Sequence, residues 1–384
     1  MAANGVRQEI ADLLPRIRDR RDEIEKARRI PRDVADSLRN TGLFTLAVPR
    51  VFGGDEAEPA DILDLIETVS ATDGSTGWCA MIGIANNVAA GYLPEAGARE
   101  VFTNFNGPSA GIAAPTGGAT RVDGGVRVSG RWGFGSGITH SDWLWAGAMV
   151  MENGKPRMTP HGPEIIHIFV PTQQAEIHDT WHVSGLNGTG SHDFSVMDVF
   201  VPESRIFSLF DKATHRSEPL FQLPSLGWFV SQVAAVSLGI ARAALDELNE
   251  IAQKKVPTLS QAVLADKPVA QIEIARAEAK LGAARAFLYA AVDELWKTAC
   301  AGRQPSLRQI AMNRVACLNA TATGADVART ANVLAGGSSI YTASSLQRHM
   351  RDADAITHHF SVAPHVWEDA GRVLLGREPT APVF

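Results

Sequence analysis

The feature that most constrains this chain is a double change in the spacing of its apolar residues. From Val6 to about Arg29, the residues Ile10, Leu13, Leu14, Ile17 and Ile24 recur at near-helical intervals. A second helix is expected after Pro31, in RDVADSLRNTGLF, with Gly42 as its stop. Further helical patterns cover about Glu58 to Ala71 and Gly77 to Leu93, interrupted by DGST. Between Gly107 and about Ile206 the texture becomes short strand-like runs, RVDGGVRVSGRWGF, WLWAGAMV, IIHIFVP and FSVMDVFVP, separated by Gly, Pro and Asn. The pair Gly124 and Gly125 reads as a hairpin turn. After Glu218 the strands vanish and four long Ala- and Leu-rich helical patterns follow, the last near Leu346 to Gly376; four such helices make a bundle.

The expected fold class is therefore α+β, mainly α. A helical domain over 1–106 precedes a central β-barrel-like domain over 107–212 and a four-helix bundle over 213–384. A chain of 384 residues exceeds what one core usually organises, so several domains or layers fit its length. Its 45% apolar and 20% charged residues are globular values.

A net charge of -6 and the absence of a long Lys/Arg run argue against a nucleic-acid partner. The cysteines Cys79, Cys300 and Cys317 are far apart and suggest neither a zinc site nor a disulfide framework. The N-terminal stretch carries mixed charges and no apolar core of a signal peptide, so a cytoplasmic protein is expected. The most apolar segment, Phe229 to Leu245, is interrupted by Ser231, Gln232 and Arg242, which reads as a buried bundle helix and not a membrane span.

Local sequences sharpen this outline. LRNTGLFTLAVPRVFGGDEAEPADILDLIETVSATDGSTGW, VSGRWGFGSGITHSDWLWAGA, GLNGTGSHDFSVMDVFVPE and LAGGSSIYTASSLQRHMRDADAITHHF together resemble the acyl-CoA dehydrogenase-like flavoproteins over nearly the whole chain. The resemblance implies the acyl-CoA dehydrogenase fold. A dehydrogenase needs a carboxylate base to remove an acidic α-proton. In most such enzymes that glutamate stands eight residues before the arginine of a terminal Arg-Asp pair; here the pair is Arg351-Asp352 and the position holds Ala343. The less common location, in the bundle's first helix, has no acid between Ser231 and Arg242.

RDADAITHHF instead resembles the histidine-bearing segment of the two-component reduced-flavin-dependent monooxygenases, the p-hydroxyphenylacetate and steroid-phenol hydroxylase type. The match places His359 at the family histidine, near the flavin C4a-hydroperoxide, where an imidazole can hydrogen-bond the peroxide or take a phenol proton. His358 is the adjacent candidate; neighbours on a helix point about 100° apart, so only one can face the flavin. Ser136 falls where relatives hydrogen-bond the flavin near N5, with Phe134 beside it on the cofactor side; the alternative for Ser136 is a turn serine flanked by Gly135 and Gly137. Thr189 and Ser191 flank Gly190 in a turn that could approach flavin or substrate. Gly336 and Gly337 lie where dehydrogenases meet the dinucleotide end of a neighbouring subunit's cofactor, though they could be only a helix stop.

Trp78 and Asn86 fall in the helix that contributes to the substrate pocket of similar oxygenases, with core packing and a structural amide as their alternatives. His349, His358, His359 and His365 match no metal-ligand pattern, and Gly133 to Gly137 does not make a hydrolase elbow. The resemblance thus implies an oxygenase component that takes FMNH2 or FADH2 from a separate flavin reductase, uses O2 as co-substrate, hydroxylates a small aromatic compound and assembles as a homotetramer. A flavin-dependent acyl-CoA dehydrogenase or desaturase with an unexpected base, and a non-catalytic scaffold, are the alternatives.

Overall fold

The computed structural model describes residues 2–103, 105–160, 162–209 and 214–381. The expected boundary at 212/213 falls outside them. The helices are α1 (Ala2–Asp19), α2 (Arg21–Ala27), α3 (Arg32–Asn40), α4 (Pro59–Thr72), α5 (Gly74–Asn87), α6 (Glu95–Phe102), α7 (Ser225–Ala252), α8 (Pro268–Cys300), α9 (Leu307–Ala335), α10 (Ser345–Thr357) and α11 (Pro364–Leu374). The strands are β1 (Ser109–Val122), β2 (Gly125–Gly135), β3 (Trp143–Glu152), β4 (Lys155–Pro156), β5 (Met158–Thr159), β6 (Gly162–Pro163), β7 (Ile165–Pro171), β8 (Glu176–His178), β9 (His192–Pro202) and β10 (Ile206–Phe207). Two compact units result: Met1–Glu58, Cys79–His182 and Asn187–Gln222 form one, and Pro59–Trp78, Val183–Leu186 and Leu223–Phe384 form the other.

The first unit is built on a sheet in the order β10-β7-β3-β1-β2-β9-β8, with β4 added to β3 and a separate β5–β6 pair. β1 and β3 run parallel, and the other pairs are antiparallel. Its core centres on Trp132, which stacks on Phe194 at 5.4 Å and donates its indole N–H to the Gly147 carbonyl at 2.8 Å. Only glycines fit beneath this ring: a Cβ at Gly117 would lie 2.2 Å from it and one at Gly130 2.7 Å. The expected Gly124-Gly125 turn is displaced by one residue. Gly125 already pairs with Val122, so Asp123-Gly124 makes the turn, and only Gly124 needs the left-handed backbone, at φ 75°.

In the second unit, α7 is buried along almost its whole length, from Gly227 to Ala252. It is the one helix among the described residues long and apolar enough to cross a membrane, and most of its apolar stretch is buried inside the protein. Close backbone approaches fix its neighbours. A Cβ at Gly239 would lie 2.4 Å from the Glu67 carbonyl oxygen of α4, and one at Gly324 of α9 would lie 2.7 Å from the Ser237 carbonyl oxygen. The Arg351-Asp352 pair also has a structural task here. Asp352 accepts the Leu186 N–H at 2.6 Å and Arg351 donates to the Ser184 carbonyl, which ties the short Val183–Leu186 segment to α10.

Two helical expectations need correction. The stretch from Val6 to Arg29 divides at Arg20 into α1 and α2. The last bundle pattern is not one helix but two, α10 and α11, separated by His358, His359 and a 3-10 turn over Phe360–Val362. Pro364 at the start of α11 explains the second break: its ring holds Ala363 extended (φ -68°, ψ 160°) and forbids a continuous helix.

Gly239→Ala tests the α4–α7 spacing. Helix propensity alone would favour alanine by about 1 kcal/mol, but the clash should reverse the sign and give a net loss of about 1–2 kcal/mol. Urea unfolding of the variant measures this; an unchanged or raised midpoint would show that the two helices separate freely.

Candidate active site

The register of β2 and β9 builds one half of the candidate residues. Gly135 pairs with His192, so the next residue along each strand, Ser136 and Ser191, face each other. Their hydroxyl oxygens are 2.7 Å apart, and the Thr189 hydroxyl is 2.7 Å from that of Ser191. All three side chains are buried, so the hydroxyls form a chain shielded from bulk water. The backbone around them is locked. Gly137, at φ 73°, donates its N–H to the Thr189 carbonyl at 2.9 Å, and the Cys79 thiol donates to the same carbonyl at 3.6 Å.

Phe134 stands beside Ser136 in an unusual state. Its backbone is left-handed at φ 64°, a conformation that costs a bulky residue energy. Its ring is nonetheless 68% exposed, with Trp181 edge-on at 6.0 Å. An exposed aromatic on strained backbone beside buried hydroxyls suits a planar heteroaromatic ligand with polar edges. On that donor set, the residues fit a flavin ring.

The second unit carries the histidine. α10 ends at Thr357, so His358 and His359 are not helical neighbours, and the helix argument for choosing between them does not apply. The structure separates them differently. His358 is exposed, 3.8 Å from Asp354, whereas His359 is ringed by Trp78, Phe229 and Phe360 at centroid distances of 5.6, 5.7 and 4.7 Å. Protein encloses the His359 ring on most sides while part of it stays accessible, as expected for the wall of a concavity. Burial pushes its pKa from 6.5 down to about 4, so the ring is neutral at working pH. Its Nδ1 lies 2.7 Å from the Ser361 hydroxyl and accepts the Ser361 N–H at 3.4 Å.

The other expected residues lie as follows. Trp78 is buried, edge-on to His359. Asn86 is buried and its amide N–H donates to the Ser109 carbonyl at 3.0 Å, while Asn87 bridges the Phe44 and Gly107 carbonyls. Gly336 ends α9 at φ 68°, and Lys255 donates to Ser338 at 2.6 Å beside it. Gly336 and Gly337 are about 30 Å along α9 from Arg314, which contacts the His359 turn, so the structure does not bring them to that histidine. Among the described residues no group of three or more His, Cys, Asp or Glu is arranged to hold a metal ion. Sequence reasoning missed Phe229, Ser361 and Arg314. The signal for Ser361 was its place two residues after His359, hidden by reading the region as one helix.

Comparison with known proteins decides the family. Residues 3–105 match the acyl-CoA dehydrogenase N-terminal domain and residues 231–364 the acyl-CoA dehydrogenase C-terminal domain. Indole-3-acetate monooxygenase of Pseudomonas putida is 36% identical, over 96% of this chain and 93% of that protein. The chain belongs to the flavin-dependent monooxygenases of the acyl-CoA dehydrogenase fold. The oxygenase component of the FADH2-dependent resorcinol hydroxylase of a Rhizobium species is 30% identical, over 96% of this chain and 93% of that one. XiaF from a Streptomyces species, solved with FADH2 and glycerol, superposes with a TM-score of 0.92 at 25% identity, covering 100% of this chain and 98% of XiaF. For a monooxygenase, the missing carboxylate at Ala343 and between Ser231 and Arg242 is no defect, and the dehydrogenase and scaffold readings fall away.

The neutral His359 of this monooxygenase has a measurable signature. A histidine that titrates at about 4 when folded and 6.5 when unfolded contributes stability above pH 6.5 that is lost as pH falls through about 4. Urea unfolding from pH 7 to 4 should show that loss, with a shallower slope in His359→Gln. Some slope should persist, because burial also holds His140 and His167 at about 4. Equal slopes in both proteins would mean that His359 titrates normally in the folded chain.

Proposed function

We propose that this chain is the oxygenase component of a two-component system, receiving FADH2 from a separate reductase and hydroxylating a small aromatic substrate with O2. The observation that carries this reading is His359, a neutral imidazole enclosed by Trp78, Phe229 and Phe360. The choice of FADH2 and of an aromatic substrate rests on the resorcinol hydroxylase and XiaF and on the indole-3-acetate monooxygenase. Bound reduced flavin supplies the two electrons that reduce O2, so that one oxygen atom enters the substrate and the other leaves as water.

The chain's own residues position and insulate. Ser136 would hold a bound flavin ring, and its bond to Ser191, itself bonded to Thr189, keeps that hydroxyl from rotating. Phe134 would pack against such a ring. His359, uncharged, offers one N–H donor to oxygen, while the aromatic rings around it exclude water and receive a flat substrate. Trp78 belongs to that substrate wall; Asn86, bonded to the Ser109 carbonyl, acts as a structural amide of the sheet unit. Gly336 and Gly337 serve the dinucleotide end of a flavin held by a neighbouring subunit. That role presumes the homotetramer, and the cytoplasm as site of action and the division at 1–106, 107–212 and 213–384 belong to the same proposal.

Mixing the protein with anaerobically prepared FADH2, then with 18O2 and a panel of aromatics that includes indole-3-acetate, tests it. Labelled hydroxylated product is expected, with His359→Ala lowering product formed per FADH2 by about a hundredfold and Ser136→Ala diverting reducing equivalents to hydrogen peroxide. Reoxidation at the rate of free FADH2, with no label in any aromatic, would overturn the reading.

A further inference from the structure

We infer that Ser361 is a positioning residue that fixes which nitrogen of His359 carries the proton, leaving the N–H at Nε2. A neutral imidazole has one N–H and one lone pair, and the hydrogen bond made by one nitrogen decides the state of the other. At His359, both polar groups of Ser361 converge on Nδ1: its hydroxyl at 2.7 Å and its backbone N–H at 3.4 Å. A hydroxyl can turn and serve either tautomer. A backbone N–H cannot, since it only donates; a proton on Nδ1 would face it hydrogen to hydrogen. The lone pair therefore sits on Nδ1, and the Ser361 hydroxyl donates to it.

The turn cannot drift out of this arrangement. Ser361 is buried at 1% exposure, so its hydroxyl has no solvent to turn towards. Its carbonyl accepts a hydrogen bond from Nη2 of Arg314 at 3.2 Å, a buried guanidinium on α9 whose Nε and Nη1 have no hydrogen-bond partner among the described residues. The Val362 N–H closes the turn on the His359 carbonyl at 3.0 Å. The rings packed around the imidazole, Trp78, Phe229 and Phe360, carry no acceptor that could draw the proton to a different nitrogen.

The consequence rests on the role proposed above for His359. With Nε2 protonated and the ring neutral, the histidine presents a donor, suited to hydrogen-bonding a developing oxygen anion and unsuited to taking a proton from substrate through that nitrogen. Ser361 thus selects between the two tasks that an imidazole could perform.

The test is long-range 1H–15N correlation on the full chain labelled at histidine, at pH 7, in wild type, Ser361→Ala and Ser361→Thr. Wild type should show His359 with Nδ1 unprotonated and Nε2 protonated. Ser361→Ala keeps the backbone N–H at 3.4 Å but loses the shorter hydroxyl bond at 2.7 Å, so an Nδ1-protonated fraction should appear beside the wild-type tautomer, and Ser361→Thr should remove it. A several-fold loss of product per FADH2 is expected in Ser361→Ala with substrate KM unchanged, and His359→Ala/Ser361→Ala should be no worse than His359→Ala. A wild-type His359 protonated at Nδ1, or an unaltered pattern in Ser361→Ala, overturns the inference. If the tautomer shifts as expected but His359→Ala hydroxylates normally, the inference about Ser361 stands and the role proposed for His359 fails.

Discussion

The spacing of α7 from α4 and α9 is the constraint on which the helical unit depends. Two glycines set it, Gly239 against the Glu67 carbonyl and Gly324 against the Ser237 carbonyl, where no side chain could fit without moving a helix. The 3-10 turn Phe360–Val362 packs against both α7 and α9. Phe229 of α7 meets the His359 ring, and Arg314 of α9 holds the Ser361 carbonyl. Widening the spacing would therefore reach the histidine through two contacts at once. Burial of α7 supplies the hydrophobic driving force, and the glycines convert it into a fixed geometry.

In the sheet unit the corresponding constraint is strand register. A slip of one residue between β2 and β9 would turn Ser136 away from Ser191 and break the hydroxyl chain. Trp132 resists that slip, because its ring occupies the space left by Gly117 and Gly130 and its indole N–H is tied to Gly147. The irregularity between the Trp132/Phe194 and Gly135/His192 pairs lies immediately before Ser136, where Phe134 takes its left-handed backbone. Register is held on one side of this bulge by packing, and strain on the other side aims the candidate residues.

Among the described residues, several buried titratable groups are held neutral and not left as sparsely bonded charges. His359, His140 and His167 are held uncharged by burial, which avoids placing isolated cations in apolar surroundings. Arg314 departs from this pattern. Burial lowers its pKa, and among the described residues one bond to the Ser361 carbonyl is what its side chain is seen to make. A buried guanidinium so sparsely bonded is costly, and it stands behind the turn that carries the candidate catalytic histidine.

The sequence by itself determined the order of the structure: helices, then sheet, then long helices. Apolar periodicity and Gly/Pro punctuation are local signals that survive without tertiary context. It also carried a resemblance that implied the class of chemistry, since the positions where dehydrogenases of this fold keep a base hold Ala343 and the acid-free stretch from Ser231 to Arg242. What it could not determine was the break in the last helix. The segment from Leu346 to Gly376 keeps helical spacing across the gap, and the proline that stops it acts on the residue before it. The motif register favoured His359 over His358, but only the tertiary structure shows how differently the two are surrounded. The difference is that one meets solvent and Asp354 while the other meets Trp78 from α5, Phe229 from α7 and Ser361 from its own turn. Those partners lie up to 281 residues away in the sequence, and no local pattern records which rings will close around an imidazole.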